Sequence, residues 1–221
     1  MKLKSLAAAL TTAACLPAMS ATLYSNDFET NAAGFSGAGS RQGTQGYGAI
    51  GYGQQFLRND SAGRPAPASV LNLNLAAAAS AAVLTLDLAI IDSWDGDKGP
   101  DIFNVKVDGD LIFSQAFSYN EPKLLPTLVT KSFGTFLGFT GWKDAAYGMT
   151  LGLGNLAAGA HTIEFFASGG DWQGGDDESW GIDNVRVTDA VTSNAPEPET
   201  YALMLAGLGV LSWVTRRRRS L

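Results

Sequence analysis

Two acidic stretches hold most of the side chains in this chain that could bind a ligand. Residues 92–101 read DSWDGDKGPD and residues 171–180 read DWQGGDDESW. Each mixes aspartate, glycine and tryptophan. Carboxylates carried on glycine-rich loops suit a hard cation. Calcium takes about six to eight oxygens from carboxylates, carbonyls and water, and it accepts irregular geometry. If the two loops meet at one end of a folded domain, their carboxylates repel unless a cation or solvent intervenes. Asp92, Asp95 and Asp101 would then share calcium with Asp177 or Glu178. Ordinary solvated turns are the alternative. A strict EF-hand is excluded, because the spacing is not D-x-D-x-D-G and no Glu stands at the twelfth position.

Three tryptophans bear on a different chemistry. Trp94, Trp142 and Trp172 lie in or beside loops and not in apolar runs. An exposed indole face stacks on the C–H face of a sugar ring, and nearby Asp, Asn and Gln bind hydroxyls. These three are the candidate glycan contacts, with plugging of the core as the competing role. Trp180 begins an apolar segment and is expected in the core.

Catalytic signals are weak. His161 is the only histidine and starts a strand-like segment, so a zinc site of the His-rich type is excluded. No G-x-S-x-G elbow occurs. Paired carboxylates could hydrolyse a glycosidic bond if held about 5–10 Å apart with one pKa raised. The glycine-rich loops here suit metal or water better than a buried proton donor, so the expectation is no enzyme, with a polysaccharide hydrolase or lyase as the lesser alternative. Residues 46–51, GYGAIG, match G-x-G-x-x-G literally. Without a strand before and a helix after, that match carries no nucleotide site. Loops and close strand contacts are the expected use of these glycines.

The elements that must position these groups read as strands. Residues 83–91, VLTLDLAII, form a continuous buried run, and 102–107, IFNVKV, alternate with period two. Asp108-Gly109-Asp110 then turns the chain into 111–113, because glycine accepts the positive φ of a tight hairpin. Further strands are expected at 128–133, 147–153, 161–167 and 180–187. Residues 76–82 suit either a helical turn or a close strand contact. No ordinary amphipathic helix appears. Many short strands separated by Gly, Asp and Asn point to an all-β fold, a jelly-roll or other β-sandwich of concanavalin-like or galactose-binding-like form.

Both ends carry addresses. Lys2 and Lys4, the apolar residues 6–16 and the small-x-small Ala18-Met19-Ser20 form a secretory signal peptide over 1–20. Cys15 lacks the Leu three residues earlier that a lipidated Cys requires. With the signal removed no cysteine remains, so disulfides are excluded. The sandwich then spans 21–190, with a linker at 191–195. Residues 196–221 open on Pro196-Glu197-Pro198, continue through the apolar run 201–214 and end on Arg216, Arg217, Arg218 and Arg219. The prolines block regular structure, the run suits hydrocarbon as a single transmembrane helix, and the arginines stop transfer. The run has 14 residues, short for a stable span of about 20.

This three-part tail resembles the PEP-CTERM sorting signal of exopolysaccharide-producing Gram-negative bacteria. The resemblance implies an exosortase as partner, cleavage near the Pro-Glu-Pro, passage through an inner-membrane intermediate, and delivery to the cell surface or a biofilm matrix. The opening NDFE at 26–29 and the closing WGIDNV at 180–185 resemble secreted jelly rolls whose first and last strands are bridged by calcium. That resemblance implies a calcium site at Asp27, Glu29 and Asp183. The alternative is that Phe28 and Ile182 point inward while the acids face water.

Charge fits this picture. The chain holds 15 Lys and Arg against 21 Asp and Glu. Removing Lys2, Lys4, the four tail arginines, Glu197 and Glu199 leaves nine basic and nineteen acidic residues, a net charge near −10. Nucleic acid is excluded as a partner, because phosphate binding needs a basic face. The function expected from the sequence is a calcium-stabilised surface or matrix protein contacting exopolysaccharide, with a structural or adhesive component lacking a discrete ligand site as the alternative.

Overall fold

The computed structural model describes residues 20–96, 99–139, 141–189, 202 and 205–208. The signal peptide, the linker, the Pro-Glu-Pro and arginine residues and most of the apolar run lie outside the described residues. Ala202 and residues 205–208 are helical. Among the described residues no helix is long and apolar enough to cross a membrane.

The described strands are β1 (Ala21–Asn26), β2 (Phe35–Gly37), β3 (Ser40–Gly43), β4 (Gln55–Asn59), β5 (Ser69–Leu75), β6 (Ala79–Asp92), β7 (Asp101–Val107), β8 (Asp110–Ala116), β9 (Leu128–Thr135), β10 (Asp144–Leu156), β11 (Gly159–Gly169) and β12 (Glu178–Asp189). They form two antiparallel sheets. One has the order β3-β4-β12-β6-β10-β9, with β1 also pairing β12; the other has the order β2-β5-β11-β7-β8. The central quartets β4-β12-β6-β10 and β5-β11-β7-β8 give a jelly-roll order, since the chain passes repeatedly from one sheet to the other.

Alternation explains which side chains meet. Phe103, Val105 and Val107 of β7 face Leu84, Leu86, Leu88 and Ile90 of β6 in one core. The opposite face of β6 is also covered. Ala89 and Ile91 pack with Tyr47, Tyr52, Phe56 and Ala146 in a second cluster. Burial on both faces is why residues 88–91 are an unbroken apolar run. The covering segment is the glycine-rich stretch, which holds β3 and a 3-10 helix, Gln45–Ile50. Tyr47 anchors it by donating from its hydroxyl to the Ile90 carbonyl at 2.8 Å. A Cβ at Gly46 would stand 2.8 Å from the Leu137 carbonyl oxygen, so this glycine permits a close backbone approach.

The expected hairpin forms, with Asp108 and Gly109 at φ 50° and 90° and Val107 opposite Asp110. Residues 79–82 are strand and not helix, with Ala79 and Ala82 inside the core. Strands β9 to β12 run longer than the pattern indicates. β1 to β5 lie outside the expected segments, although β5 alternates buried and open positions cleanly.

Candidate functional site

The two acidic stretches meet at one end of the sandwich. β6 ends at Asp92, which stands directly opposite Glu178, the first residue of β12. Trp94 then turns inward and donates from Nε1 to the Ser179 carbonyl at 2.8 Å. This pulls the segment after β6 across the start of β12. Asp95 and Asp101 close on each other through backbone contacts. The Asp95 N–H donates to Asp101 Oδ2 at 2.6 Å, and the Asp101 N–H donates to the Asp95 carbonyl at 2.7 Å. From the other stretch, the Gln173 N–H donates to Glu178 Oε2 at 2.7 Å.

Asp95, Asp101 and Glu178 each present a carboxylate oxygen, all within 4.8 Å of one another. Asp101 and Glu178 are fully buried. Asp101 Oδ1 and Glu178 Oε1 are sealed from solvent, and no N–H or hydroxyl donor among the described residues reaches either. Burial pushes the Asp101 carboxyl up to about 6, against the Asp95 N–H and a hydrogen bond from Glu178, with the charges of Asp95 and Asp171 adding to the rise. Burial likewise pushes Glu178 up to about 8, with the Asp101 charge, a hydrogen bond from the protonated Glu178 carboxyl to Asp101 and the Asp177 charge adding to it against the Gln173 N–H. Three carboxylates this close either share a proton or keep their charge beside a cation. The group could bind a metal ion. Oxygens on opposite sides of a calcium ion, at about 2.4 Å each, stand at most about 4.8 Å apart. The donors are hard oxygens with no nitrogen or sulfur, which suits calcium and not zinc.

Not every expected ligand joins this group. Asp92 is buried in a left-handed conformation, φ 67°, and its N–H donates to Asp144 Oδ1 at 3.0 Å. Asp177 accepts from the Ser93 hydroxyl at 3.1 Å. The first bond ties the end of β6 to β10 and the second ties it to the segment entering β12, and both acids stand outside the three-carboxylate group. Asp144 did not stand out in sequence, yet its buried carboxylate accepts from Asp92 and from the Leu137 N–H at 2.6 Å.

At the other expected calcium site, the structure brings Asp27 and Glu29 near enough to Asp183 for their charges to act on it. Among the described residues these three do not bring ligand oxygens together as the other group does. β1 and β12 do pair. However, Glu29 Oε1 accepts the Gln54 and Gln55 N–H groups, and Asp27 Oδ1 accepts the Glu29 N–H. Asp183 is buried opposite Asp87 on the outer face of its sheet. Burial pushes its carboxyl up to about 8, and the charges of Asp87, Glu29 and Asp27 add to it against the Asn184 N–H. Asp87 itself is neutralised by Lys131 at 2.5 Å and accepts from the Asn184 amide at 2.8 Å.

Two of the three tryptophans are corrected as glycan contacts. Trp94 and Trp172 are 0% and 1% exposed, and their rings meet edge to face at 5.0 Å. Trp172 Nε1 donates to the Ser61 carbonyl at 3.1 Å. With each indole N–H satisfied inside, both rings plug the end of the core and offer no face to a sugar. Trp142 is 49% exposed. It pairs with Tyr119, ring centroids 5.3 Å apart. The chain neighbours of Tyr119, Ser118 and Asn120, line a cavity of about 370 Å³ with Asp95, Glu121 and Lys123. Asp95 therefore belongs both to the cation group and to the cavity wall. His161 lies elsewhere, bonded to Asp108 and to the Ala157 carbonyl.

The model of the PEP-CTERM protein-sorting motif matches residues 194–219. The chain thus carries a PEP-CTERM sorting motif, which indicates a secreted protein with a C-terminal membrane anchor before exosortase processing. No curated protein matches the chain significantly. Among solved structures, it is similar to a family 35 carbohydrate binding module from an environmental isolate, at 19% identity over 72% of this chain and 89% of that one, TM-score 0.41. It is also similar to the C-terminal family 22 carbohydrate binding module of Clostridium thermocellum Xyn10B, at 13% identity over 80% and 99%, TM-score 0.42. A third is the cleaved adhesin domain of Lys-gingipain from Porphyromonas gingivalis, at 14% identity over 74% and 96%, TM-score 0.44. At these scores the likeness is loose.

Proposed function

We propose that this chain is a non-catalytic surface or matrix domain, released from its tail by an exosortase, that binds calcium and contacts exopolysaccharide. Calcium sits at Asp95, Asp101 and Glu178 and has a structural role. Its support is the convergence of three carboxylates, two of which present an oxygen sealed from solvent that no N–H or hydroxyl donor reaches. The observation that carries the glycan reading is the exposed Trp142 beside Tyr119, whose chain neighbours Ser118 and Asn120 line a cavity with carboxylate, amide, hydroxyl and ammonium groups on its wall. An aromatic face for the ring and polar groups for the hydroxyls are what a sugar needs.

The test is affinity electrophoresis of the full chain through gels holding soluble neutral or acidic polysaccharides. Retardation by at least one polysaccharide, lost in Trp142→Ala with an unchanged melting curve, is the expected result. Absence of retardation by any of them, with retention in an extracellular matrix, would leave a purely adhesive role. The exposed Leu124, Val129 and Phe136 favour that second reading. No reducing ends are expected from any polysaccharide in the panel.

A further inference from the structure

β12 follows every other described strand in sequence, yet it lies inside its sheet. One edge of β12 takes β6. The other takes β4 along Trp180, Gly181 and Ile182, and β1 along Val185 to Asp189. β3 joins the sheet only through β4. Without β12, β6-β10-β9 still form a sheet facing the other one, whereas β1 and the β3–β4 pair have no strand to join. β12 also brings Trp180, Ile182, Val185 and Val187 into the core.

The three-carboxylate group stands on this seam. Asp95 and Asp101 belong to the segment after β6 and the start of β7, on the side that can assemble first. Glu178 arrives with β12. Seating β12 therefore carries a carboxylate out of water and against two others. Removing charge from water is costly, and like charges add to that cost unless a counter-charge is present. Glu178 Oε1 ends up sealed from solvent with no donor to satisfy it.

We infer that the cation is the clasp that closes β12 into the sandwich, so that β1, β3, β4 and β12 are held in place only when it is bound. This rests on the reading that calcium occupies the group. Seating of β12 and filling of the site are then one event. Calcium modules outside the cell bind at about 10⁻⁴–10⁻³ M. A clasp of that strength stays open in the cytosol and shuts after export, which suits a chain that must cross a membrane before it folds.

The test is hydrogen exchange read by mass spectrometry on the full-length chain in detergent micelles at neutral pH, in excess calcium and in EGTA. Calorimetry on the same sample reports calcium binding independently. In EGTA, amides of 21–26, 40–59 and 178–189 should lose protection by up to about 100-fold, the mass-action factor for calcium at 100 times its Kd. Amides of 102–107 and 162–167 should keep theirs. Glu178→Gln keeps the shape and removes the charge, so it should abolish the calcium response and protect 178–189 better in EGTA than the parent does. Asp95→Asn, on the opposite side of the seam, should weaken the response and, with one charge fewer facing Glu178, also protect 178–189 better in EGTA than the parent does. Calcium binding by calorimetry with unchanged exchange would overturn the clasp and leave the calcium reading standing. Uniform loss of protection in all strands would also overturn it. No binding by calorimetry would overturn the calcium reading itself.

Discussion

At the scale of single residues, the tryptophans show how one side chain takes opposite roles according to where its N–H is satisfied. Trp94 is fully buried with Nε1 bonded to Ser179, and Trp142 is half exposed. Trp94→Ala opens a cavity in the core end and should cost about 3–5 kcal/mol in urea unfolding. Trp142→Ala should change stability by no more than about 0.5 kcal/mol, since it touches little that is buried. Similar losses in both variants would mean that Trp142 supports the fold. His161 makes a second residue-level case. Nδ1 lies 2.6 Å from Asp108 Oδ2 and Nε2 lies 2.8 Å from the Ala157 carbonyl. Both partners are acceptors, so only the doubly protonated ring satisfies both. The Asp108 bond, then the Ala157 carbonyl, raise the ring above its ordinary value. The resulting stabilisation is complete below the unfolded value of about 6.5 and fades as pH rises through the folded one. NMR titration of the single imidazole should give a pKa above that of an unfolded control. A value at or below the control would remove the ion pair.

Elements depend on contacts that local pattern shows only in part. The hairpin at Asp108-Gly109 and the doubly buried run of β6 were legible, because turn chemistry and periodicity are local. The crossing of the Gly-rich segment over β6 was not, because Tyr47 finds Ile90 and Ala145 far along the chain. The acidic site was half legible. Asp95, Asp101 and Glu178 stood out by type and setting. Their separation from Asp92 and Asp177 depends on which face each strand end turns, and that follows from the indole bond to Ser179. Tyr119 gave no signal at all, since its role comes from Trp142 beside it. Gly181 shows how tightly β12 fits. A Cβ there would stand 2.4 Å from the Phe56 ring, whose other neighbours are Tyr47, Tyr52 and Phe139. The ring cannot swing aside without disturbing that cluster. Gly181→Ala should therefore destabilise by about 1–3 kcal/mol as overpacking does. A midpoint equal to the parent's in urea would show that the aromatic cluster is loose.

For the whole molecule, buried carboxyls set the pH dependence of stability. Burial pushes Asp183 up to about 8 and Asp144 up to about 6, well above ordinary carboxylates. Neither belongs to the cation group. A raised acid binds its proton more tightly in the folded state, so the folded chain holds more protons than the unfolded one between about pH 4 and the folded pKa. Stability then falls as pH rises through that window. His161 acts in the same direction, because its folded pKa is raised as well. In saturating calcium, with the clasp filled throughout, urea midpoints should decline from pH 6 to pH 9. The two contributions separate by substitution. Asp183→Asn should remove the part of the slope that runs through neutrality to about pH 8 while leaving Asp87 paired with Lys131, and His161→Gln should remove the part that begins above about pH 6.5. The double variant should be nearly level across the range. A rising midpoint in the parent would mean that Asp183 stays ionised in its buried position. Lys131 and the Asn184 N–H would then outweigh burial and the neighbouring carboxylates, and the outer face of the β12–β6 pair would be an ion cluster in place of a protonated one.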